Sequence, residues 1–494
     1  MLPQYEPRQK PQTEEGPTGA ELQASIELQR FIDKYDAPAT EEQKTKRQEV
    51  LSKIKILINE FVRIIAKKTG NTAEGLENVE SQLVPYGSYR LGVVSEGSDI
   101  DCIVVAPSFV KRSDFFNTFY EMMINHPSVK ELVKVENAYS PIMSFHYDGI
   151  EIDLSFASLA MTTVAEDTDF ADDHILDNVD EESVRSLNGR RVNDMLLQLV
   201  PNQDIFRVVL RFLRIWAKKR CVYGNVFGYL GGVNLAILAA FICQRYPKKS
   251  PAYIIVMFFN DLATWTWPEP IYINTPTTGN RSNWDPTRQQ DHKDCMPIIT
   301  PAYPTINSLH SATKSSRNRM TVEFKRGFKV ASACLKSEAS WERIIDSPKF
   351  FVRHRKFVEV LVVATEEKVY TEFMKFVQSR VRFLAINIET QLRHVSHAYI
   401  WPVEFPANGY RGNEFCSVFY IGLSYHVPKD ENQSRTLDLT SPAKKWVDDI
   451  RQKAPPNADV ILDVVDTKDL PSFLFPNGER PEVKNVKKVE QPAK

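Results

Sequence analysis

The sequence predicts a multidomain α+β protein, and three observations support this fold class. The chain has 494 residues, which corresponds to about three domains at roughly 100 to 200 residues each. Hydrophobic residues make up 43% and aromatic residues 11%, which is typical of chains that fold. Helical periodicity dominates the beginning and the middle of the chain, whereas short apolar strands dominate two other regions.

The N-terminal part is predicted to be a tail followed by two helices. Residues 1–19 are rich in Pro, Gln, Glu and Gly, so we expect a mobile tail. Helices are predicted over residues 20–35 and 41–68. In the second helix apolar residues recur at helical spacing, which indicates a face packed on a core. These residues are Leu51, Ile54, Ile58, Phe61 and Ile65.

Residues 84–156 predict a mixed α/β region. Short apolar segments are broken there by Gly, Pro and Ser, which is typical of strands. The strands are predicted at residues 100–105, 143–147 and 150–156. A helix is predicted between them over residues 113–124. The acidic stretch 166–182 lacks the glycine and the ligand spacing of a calcium loop, so we interpret it as a solvated connector.

The rest of the chain predicts a helical part and then a ferredoxin-like part. Apolar spacing predicts helices over 202–219, 233–246, 250–264 and from Asn307 to Gly327. The last part follows the order strand, helix, strand, strand, helix, strand, which is ferredoxin-like. These elements are predicted at residues 350–364, 366–390, 395–405, 415–426, 442–453 and 459–465. Ser441 is the predicted N-cap of the second helix, and the residues after Leu474 are a predicted mobile tail.

Charge and cysteine content exclude several functional classes. Lys and Arg total 62 and Asp and Glu total 63, a formal net charge of -1, so a phosphate-binding surface must be local. The six cysteines show neither Cys-x-x-Cys pairs nor zinc spacing, which indicates reduced thiols in an intracellular protein. We find no signal-peptide core and no long apolar run, so we expect a protein that is neither secreted nor membrane-spanning.

Three aspartates carry the clearest chemical signal. Asp99 and Asp101 are two residues apart at the start of a predicted strand, so both side chains project to one face. Two adjacent carboxylates repel each other unless a cation or donors neutralise them, and oxygen-only ligands suit Mg²⁺. Asp153 lies in a second alternating strand. If the two strands are neighbours, three carboxylates converge and can hold two ions for in-line phosphoryl transfer.

A candidate phosphate cradle precedes these aspartates at Gly87-Ser88. Glycine allows the backbone to approach an anion, and a helix that starts at Ser88 points free N–H groups at it. Alone, a Gly-Ser pair indicates only a turn, and Asp-x-Asp is more often a solvated strand edge. The ordered set of cradle, paired aspartates and distant strand aspartate favours a nucleotidyl-transfer site.

Four blocks of sequence then show a family resemblance. These blocks are residues 86–116, Leu187-Asn188-Gly189, residues 207–246 and residues 296–304. They are similar to eukaryotic nuclear poly(A) polymerase, and the similarity is collinear from Asp33 to Phe475. The resemblance implies template-independent addition of AMP from ATP to RNA 3′ ends, with Mg²⁺ or possibly Mn²⁺ as cofactor. It also implies a nuclear location and partners among pre-mRNA 3′-end processing factors.

The resemblance implies a domain division and a nucleotide site. N-terminal helices at 20–50 precede a nucleotidyltransferase palm at 51–200, a helical middle domain at 201–342 and an RNA-binding, RNA-recognition-like domain at 343–475, with a tail at 476–494. Tyr223 and Asn225 match family residues that contact adenine or its ribose, and Gly232 and Val233 match the segment against the base. Without the resemblance, Tyr-Gly-Asn is also good turn chemistry.

Two positions depart from the family pattern. Arg214 stands where the family usually has Lys, nine residues before Tyr223, which preserves the charge and the capacity to bind phosphate. Ser144 stands where the family usually has Lys, nine residues before Asp153, and removes a charge. Lys218 or Lys219 is the candidate that compensates for this loss.

RNA contacts are predicted from two basic and aromatic clusters. The basic residues are Lys325, Arg326, Lys329, Arg353, Arg355 and Lys356, interleaved with Phe324, Phe328 and Phe351. They suit phosphate contact and base stacking, or equally a solvated face with core aromatics. Two alternatives to polyadenylation remain open, a terminal nucleotidyltransferase of other base or acceptor preference and a catalytically silent RNA-binding scaffold.

Overall fold

The computed structural model describes residues 6–70, 80–136, 140–426, 438–475 and 478. The chain forms two compact units. The first unit comprises Met1–Ile215, Gly232–Ser308 and Gly327–Ile344, and the second comprises Trp216–Gly231, Leu309–Arg326 and Ile345–Lys494. Within the described ranges no helix is long and apolar enough to cross a bilayer. The predicted tail at 476–494 lies outside the described residues apart from Gly478.

Two long helices open the first unit, as predicted. Helix α1 spans Gly19–Tyr35 and α2 spans Glu41–Lys68. Thr40 and Gln43 form a reciprocal capping box at the start of α2, which satisfies two first-turn donors. The predicted apolar face of α2 packs into the core through Ile54, Ile58, Phe61 and Ile65, with Leu51 partly buried beside them.

The segment before α1 contradicts the prediction of a mobile tail for residues 6–18. The Arg8 amide donates to the Ile273 carbonyl at 3.1 Å, and the Gln12 amide donates to the Arg245 carbonyl at 2.7 Å. The buried Lys249 ammonium donates to the Gly16 carbonyl at 3.2 Å. Composition missed this docking because it rests on backbone hydrogen bonds to distant parts of the chain.

A five-stranded mixed sheet forms the centre of the first unit. Its strands are β1 Gln82–Pro85, β2 Ile100–Ala106, β3 Val129–Val135, β4 Ile142–Tyr147 and β5 Ile150–Ser158. Their order is β1-β2-β5-β4-β3. Strands β2 and β5 pair in parallel and the other neighbours pair antiparallel. The three predicted strands are confirmed, whereas the short β1 and the irregular, polar edge strand β3 were not predicted.

Helices accompany this sheet. They are α3 Gly87–Leu91, α4 Arg112–Asp114, α5 Tyr120–Ile124 and α6 Glu181–Leu199, with a π-helical turn at Phe115–Phe119 joining α4 to α5. The predicted helix at 113–124 is therefore present. Helix α6 begins inside the acidic stretch that we predicted to be a connector. Asp180 caps it, and Glu181 and Glu182 lie in its first turn, where negative charge is favourable.

The helical part contains α7 Gln203–Lys219, α8 Gly232–Arg245, α9 Pro251–Thr264 and α10 Lys314–Leu335. The first three match the prediction, but the predicted bounds of α10 are wrong at both ends. Asn307 lies in a loop, where its side-chain oxygen accepts a hydrogen bond from the Ile298 amide at 3.0 Å. Gly327 lies inside α10 rather than at its end. Glycine is required there because a Cβ atom would overlap the Phe259 ring.

The second unit contains the predicted ferredoxin-like sheet. Its strands are β6 Lys356–Ala364, β7 Val395–Ile400, β8 Phe405–Pro406, β9 Phe415–Tyr425 and β10 Ala458–Asp466, in the order β10-β6-β9-β7 with β8 beside β9. Its helices are α11 Phe350–Arg353, α12 Glu367–Gln378, α13 Val381–Gln391 and α14 Thr440–Arg451.

Three details of the second unit differ from the prediction. Residues 350–353 form a helix rather than the start of β6, and Phe350 and Phe351 are buried there. The predicted long helix is broken into α12 and α13 at Ser379 and Arg380. Helix α14 begins one residue before Ser441, so Ser441 is not its N-cap. Short 3-10 helices lie at Asp173–Leu176, Asn225–Phe227, Trp341–Ile345, Tyr410–Gly412, Thr467–Asp469 and Ser472–Leu474.

Because α10 approaches Phe259 closely at Gly327, replacing this glycine with alanine is predicted to destabilise the protein. Gly327→Ala should lower the free energy of unfolding by about 1 to 3 kcal/mol, because the new methyl group overpacks the core. Urea denaturation measures this change. Gly19→Ala is the matched control, since its Cβ would meet open space. Adding Phe259→Leu to Gly327→Ala should restore part of the loss, and an unchanged loss would contradict the proposed overlap.

Candidate active site

The three predicted aspartates converge at one end of the first sheet. Asp101 in β2 lies directly opposite Asp153 in β5, in parallel register. Asp99 immediately precedes β2. One carboxylate oxygen from each of the three side chains lies within 4.8 Å of the other two. The strand adjacency on which the prediction depended is therefore present.

Burial and repulsion disfavour the charged form of Asp101 in this cluster. The pKa of Asp101 is raised to about 7, first by its burial and then by the nearby carboxylates of Asp99 and Asp153. Ile100 and Cys102, which alternate with these aspartates, are fully buried behind them. A cation at the three oxygens would offset the repulsion, and an all-oxygen donor set suits Mg²⁺ or Mn²⁺.

Gly87 fixes the backbone that faces Asp101. Its φ is +62°, and a Cβ atom at this position would collide with the Asp101 carboxylate. The Gly87 amide donates to the Asn193 side-chain oxygen at 2.5 Å, and the Tyr86 amide donates to the Asp101 carbonyl at 2.9 Å. Only glycine therefore combines this conformation with this approach.

Helix α6 supplies groups that sequence reasoning did not single out. Asn193 holds the Gly87 amide, and the Asp194 carboxylate accepts from Arg90 at 2.5 Å and from Arg190 at 2.6 Å. Gly189 lies against the Tyr86 ring, where a Cβ atom would come within 2.8 Å of a ring carbon. The Leu187-Asn188-Gly189 block was the available signal, because it lies one turn before Asn193 on the same helix.

The predicted phosphate-binding residues lie around the short helix α3. Ser88 is in its first turn, where the amide has no intrahelical acceptor. Gly87, rather than Ser88, is the first residue of the helix. Arg214 donates through Nη1 to the Val93 carbonyl at 2.7 Å, in the segment that follows α3. A guanidinium has five N–H donors. Arg214 therefore has further N–H groups besides the one that holds the Val93 carbonyl.

Ser144 is adjacent to the aspartate cluster. In the antiparallel pairing of β4 with β5, Ser144 lies directly opposite Asp153, which places their Cβ atoms at about 4.5 to 5.5 Å. Val133 of β3 is the next residue in the same row. The charge that the family pattern has at position 144 would therefore lie beside Asp153, and this row carries no basic side chain here.

Gly232 and Val233 lie at the start of α8, a helix that contacts α3. Val233 is 39% exposed although most of α8 is buried. An exposed apolar side chain at a helix start is consistent with the predicted contact to a base.

Tyr223 and Asn225 belong to the second unit, in a tightly held loop. Gly224 between them has φ of +123°, which supports the turn interpretation. The Asn225 side-chain oxygen accepts from the Ser311 hydroxyl at 2.9 Å, and the Lys218 ammonium lies 5.5 Å from the centre of the Tyr223 ring. The loop thus presents both predicted side chains in fixed positions.

The basic residues predicted to contact RNA have mixed surroundings. Phe324 and Phe351 are buried in the core, whereas Phe328 is 38% exposed. Arg326 lies 3.5 Å from Asp346, and Lys356 lies 3.0 Å from Asp466. The exposed members of the set are Lys325, Lys329, Arg353 and Arg355.

Three families of known domains match the chain in order. Residues 9–200 match the poly(A) polymerase nucleotidyltransferase domain. Residues 205–347 match the poly(A) polymerase central domain. Residues 349–414 match the poly(A) polymerase predicted RNA binding domain. Together these matches cover most of the chain.

Curated relatives align with nearly the whole chain. Poly(A) polymerase of Dictyostelium discoideum is 34% identical over 484 residues, which cover 96% of this chain and 60% of the relative. Nuclear poly(A) polymerase 4 of Arabidopsis thaliana is 34% identical over 483 residues, which cover 95% and 64%. The chain therefore spans about three fifths of the length of these relatives. A solved structure of the RNA terminal uridylyl transferase Cid1 has a TM-score of 0.46 at 12% identity, over 66% of this chain and 99% of that chain.

The contact between Gly87 and Asp101 predicts that Gly87→Ala weakens metal binding. The added methyl group must displace the Asp101 carboxylate, so we expect affinity for Mn²⁺ to fall about tenfold, or about 1.4 kcal/mol. Titration followed by electron paramagnetic resonance measures this affinity. Gly149→Ala is the matched control, because Gly149 also has positive φ but no neighbour within 4 Å of its Cβ position. Both variants should lose about 1 to 2 kcal/mol of stability, because an L-residue is strained at positive φ. If Gly87→Ala binds Mn²⁺ as tightly as the wild type, Asp101 is not a metal ligand.

Proposed function

The chain belongs to the poly(A) polymerase family, and from this premise we propose that it adds AMP from ATP to RNA 3′ ends without a template, releasing pyrophosphate. One observation carries the proposal: Asp99, Asp101 and Asp153 converge beside Gly87. A carboxylate cluster next to a backbone that admits no side chain suits a metal-bound triphosphate.

The three aspartates are the proposed metal ligands. Mg²⁺ is the proposed ion and Mn²⁺ an alternative, since both accept carboxylate oxygens. When bound, the metal supplies Lewis acidity and offsets the negative charge on the reacting oxygens. Asp153 is the candidate to accept the proton of the RNA 3′ hydroxyl.

The remaining predicted residues are assigned to the nucleotide. Gly87 is proposed to let the triphosphate approach the backbone closely, and Ser88 and Arg214 are proposed to contact it through an amide and the guanidinium. Tyr223 and Asn225 are proposed to contact adenine or its ribose. Gly232 and Val233 are proposed to lie against the base.

Location and partners are proposed from the relatives. Three relatives are named nuclear poly(A) polymerases, so we propose a nuclear location for this chain. Pre-mRNA 3′-end processing factors are the proposed protein partners. RNA is proposed to contact the exposed basic residues around residues 325–329 and 353–356.

Ser144 favours one alternative function, a terminal nucleotidyltransferase with a different base or acceptor preference. Its position opposite Asp153 lacks the positive charge of the family pattern. Weaker or less selective triphosphate binding would follow, because a nearby ammonium stabilises phosphate oxygens. A silent RNA-binding scaffold is less well supported, since the complete aspartate cluster is present.

Loss of one metal ligand should abolish transfer without unfolding the chain. Asp101→Asn should lower AMP incorporation by at least about a hundredfold, because it removes a charge that stabilises the metal. The variant should be as stable as the wild type or more so without metal, since a repulsion is removed. Glu151→Gln is the matched control: it removes one exposed carboxylate from β5, the strand paired with that of Asp101, and should retain activity. Incorporation by purified Asp101→Asn at the wild-type rate would refute the metal site.

The proposed base preference is tested with all four nucleoside triphosphates. An oligoadenylate primer should be extended with ATP in preference to GTP, CTP and UTP when Mg²⁺ is present. Gel analysis of the extended primer and release of pyrophosphate measure the reaction. A clear preference for UTP would replace this function with uridine addition. RNA binding without any pyrophosphate release would indicate the scaffold.

Restoring the missing charge should improve ATP binding. Ser144→Lys is expected to lower KM for ATP about fivefold with little change in kcat, because the ammonium interacts with the triphosphate in the ground state and the transition state alike. His146→Lys is the matched control, since His146 lies opposite Glu151 on the same face of β4. Steady-state kinetics give both constants. An unchanged KM in Ser144→Lys would mean that the triphosphate does not pass this position.

A further inference from the structure

The loop that carries Asn225 is closed by its own backbone. The Gly224 amide donates to the Leu230 carbonyl at 2.8 Å, and the Leu230 amide donates to the Val222 carbonyl at 3.2 Å. At the tip of the loop, the Gly228 amide donates to the Asn225 carbonyl at 2.9 Å. The backbone of Asn225 is therefore fixed, and its contacts depend on the orientation of the side chain.

Two aromatic side chains fasten this loop to the sheet of the second unit. The Tyr229 hydroxyl donates to the Ile400 carbonyl of β7 at 2.8 Å. The Phe227 ring lies 6.1 Å from the Phe419 ring of β9, measured between ring centres. All three rings are buried. The position of the loop is thus set by contacts in the core of the unit.

The segment that leads into α10 lies against the loop at Ser311. Gly228 has φ of +84°, and a Cβ atom there would come within 2.8 Å of the Ser311 carbonyl oxygen. The Thr313 amide donates to the Ser316 hydroxyl at 2.8 Å, and the Ser316 amide donates to the Thr313 hydroxyl at 3.1 Å. Ser311 is 3% exposed. Its hydroxyl therefore has a defined position beside the loop.

The Ser311 hydroxyl determines which end of the Asn225 amide faces it. It donates to Asn225 Oδ1 at 2.9 Å. A side-chain amide has an acceptor oxygen at one end and a nitrogen with two N–H donors at the other. Because Oδ1 is bound by Ser311, Nδ2 is directed away from Ser311. Asn225 is partly exposed, so the end of the amide that is directed away from Ser311 is the donor end.

We propose that Ser311 is a positioning residue for nucleotide selection and that it acts through Asn225. By holding Oδ1, it aims an N–H of Asn225 at a hydrogen-bond acceptor of the nucleoside, which is a ring nitrogen of adenine or a ribose oxygen. An N–H at this point disfavours a nucleoside with a donor there, because two facing donors leave both groups unpaired. The inference rests on the proposed function for its substrate, and it adds the residue that orients the amide.

Isothermal titration of the full chain with ATP and Mg²⁺ tests this role. Ser311→Ala should raise Kd for ATP about two- to tenfold, the size of one neutral hydrogen bond. The kcat of AMP incorporation should change little, because the contact is made in the ground state and the transition state alike. Ser311→Thr keeps the hydroxyl and should restore Kd. Ser417→Ala is the matched control, because it removes another fully buried hydroxyl from the second unit and should bind ATP as the wild type.

Analogues of ATP identify the acceptor. The 1-deaza, 3-deaza and 7-deaza analogues each lack one ring nitrogen, and 2′-deoxy-ATP lacks one ribose oxygen. The wild type should bind one of the four about two- to tenfold more weakly than ATP. Ser311→Ala should bind that analogue and ATP equally, because the contact is already lost.

Asn225→Asp tests the orientation of the amide. A carboxylate still accepts from Ser311, but it turns a second acceptor rather than a donor toward the nucleotide. Kd for ATP should therefore rise at least as much as in Ser311→Ala. Wild-type affinity for ATP in Asn225→Asp would show that no N–H of this side chain is needed, and would overturn the proposal.

The remaining outcomes separate Ser311 from the proposed function. An unchanged Kd in Ser311→Ala would overturn the positioning role, and so would an equal rise in Ser417→Ala or the absence of ATP binding by the wild type. The predicted pattern of Kd values without any AMP incorporation would refute polyadenylation and leave the role of Ser311 in place. Thermal unfolding of each variant checks the fold. If Ser311→Ala unfolds, Asn225→Asp and the four analogues still test the contact.

Discussion

The parallel register of β2 with β5 is the constraint on which the first unit depends. It places Asp101 beside Asp153, and Asp99 completes a group of three carboxylates within 4.8 Å. Their repulsion adds to burial in raising the pKa of Asp101 to about 7. The neighbouring backbone is fixed by Gly87 and Asn193. The site is therefore preorganised by strand register and backbone contacts before any ligand binds.

Two arginines of α7, beside α3, hold backbone carbonyls. Arg207 donates to Leu91 at 3.1 Å and Arg214 donates to Val93 at 2.7 Å. A guanidinium can hold a carbonyl with one N–H and direct others elsewhere, whereas a lysine ammonium is a compact point charge. Arginine at 214 is thus compatible both with support of this segment and with phosphate contact. Ser144 has no such compensation within its row of the sheet, so the two departures from the family pattern have different physical consequences.

The sequence predicted those features that depend on local periodicity, and it missed those that depend on distant contacts. The helix α2 follows from the helical spacing of its apolar residues, and the aspartates follow from alternation in strands. Gly327 was read as a helix end because glycine usually ends helices, yet the Phe259 ring is the reason for glycine there. Asn193 was not predicted as a site residue, because its role depends on where α6 meets Gly87 and the nearby Leu187-Asn188-Gly189 block indicates only the helix.

In the second unit, closure of the sheet face determines where function can lie. Glu359 is 1% exposed, and its carboxylate is bound by the Tyr420 hydroxyl at 2.7 Å and by Arg411 at 2.7 Å. A buried carboxylate without such partners would be strongly destabilising, so loop and sheet are held together. The face that carries stacking aromatics in RNA-recognition domains is thereby used for internal packing. The absence of the Lys/Arg-Gly-Phe/Tyr signature from the sequence agrees with this arrangement. Strand order is thus shared with those domains, but the surface available for a ligand is determined by what covers the sheet.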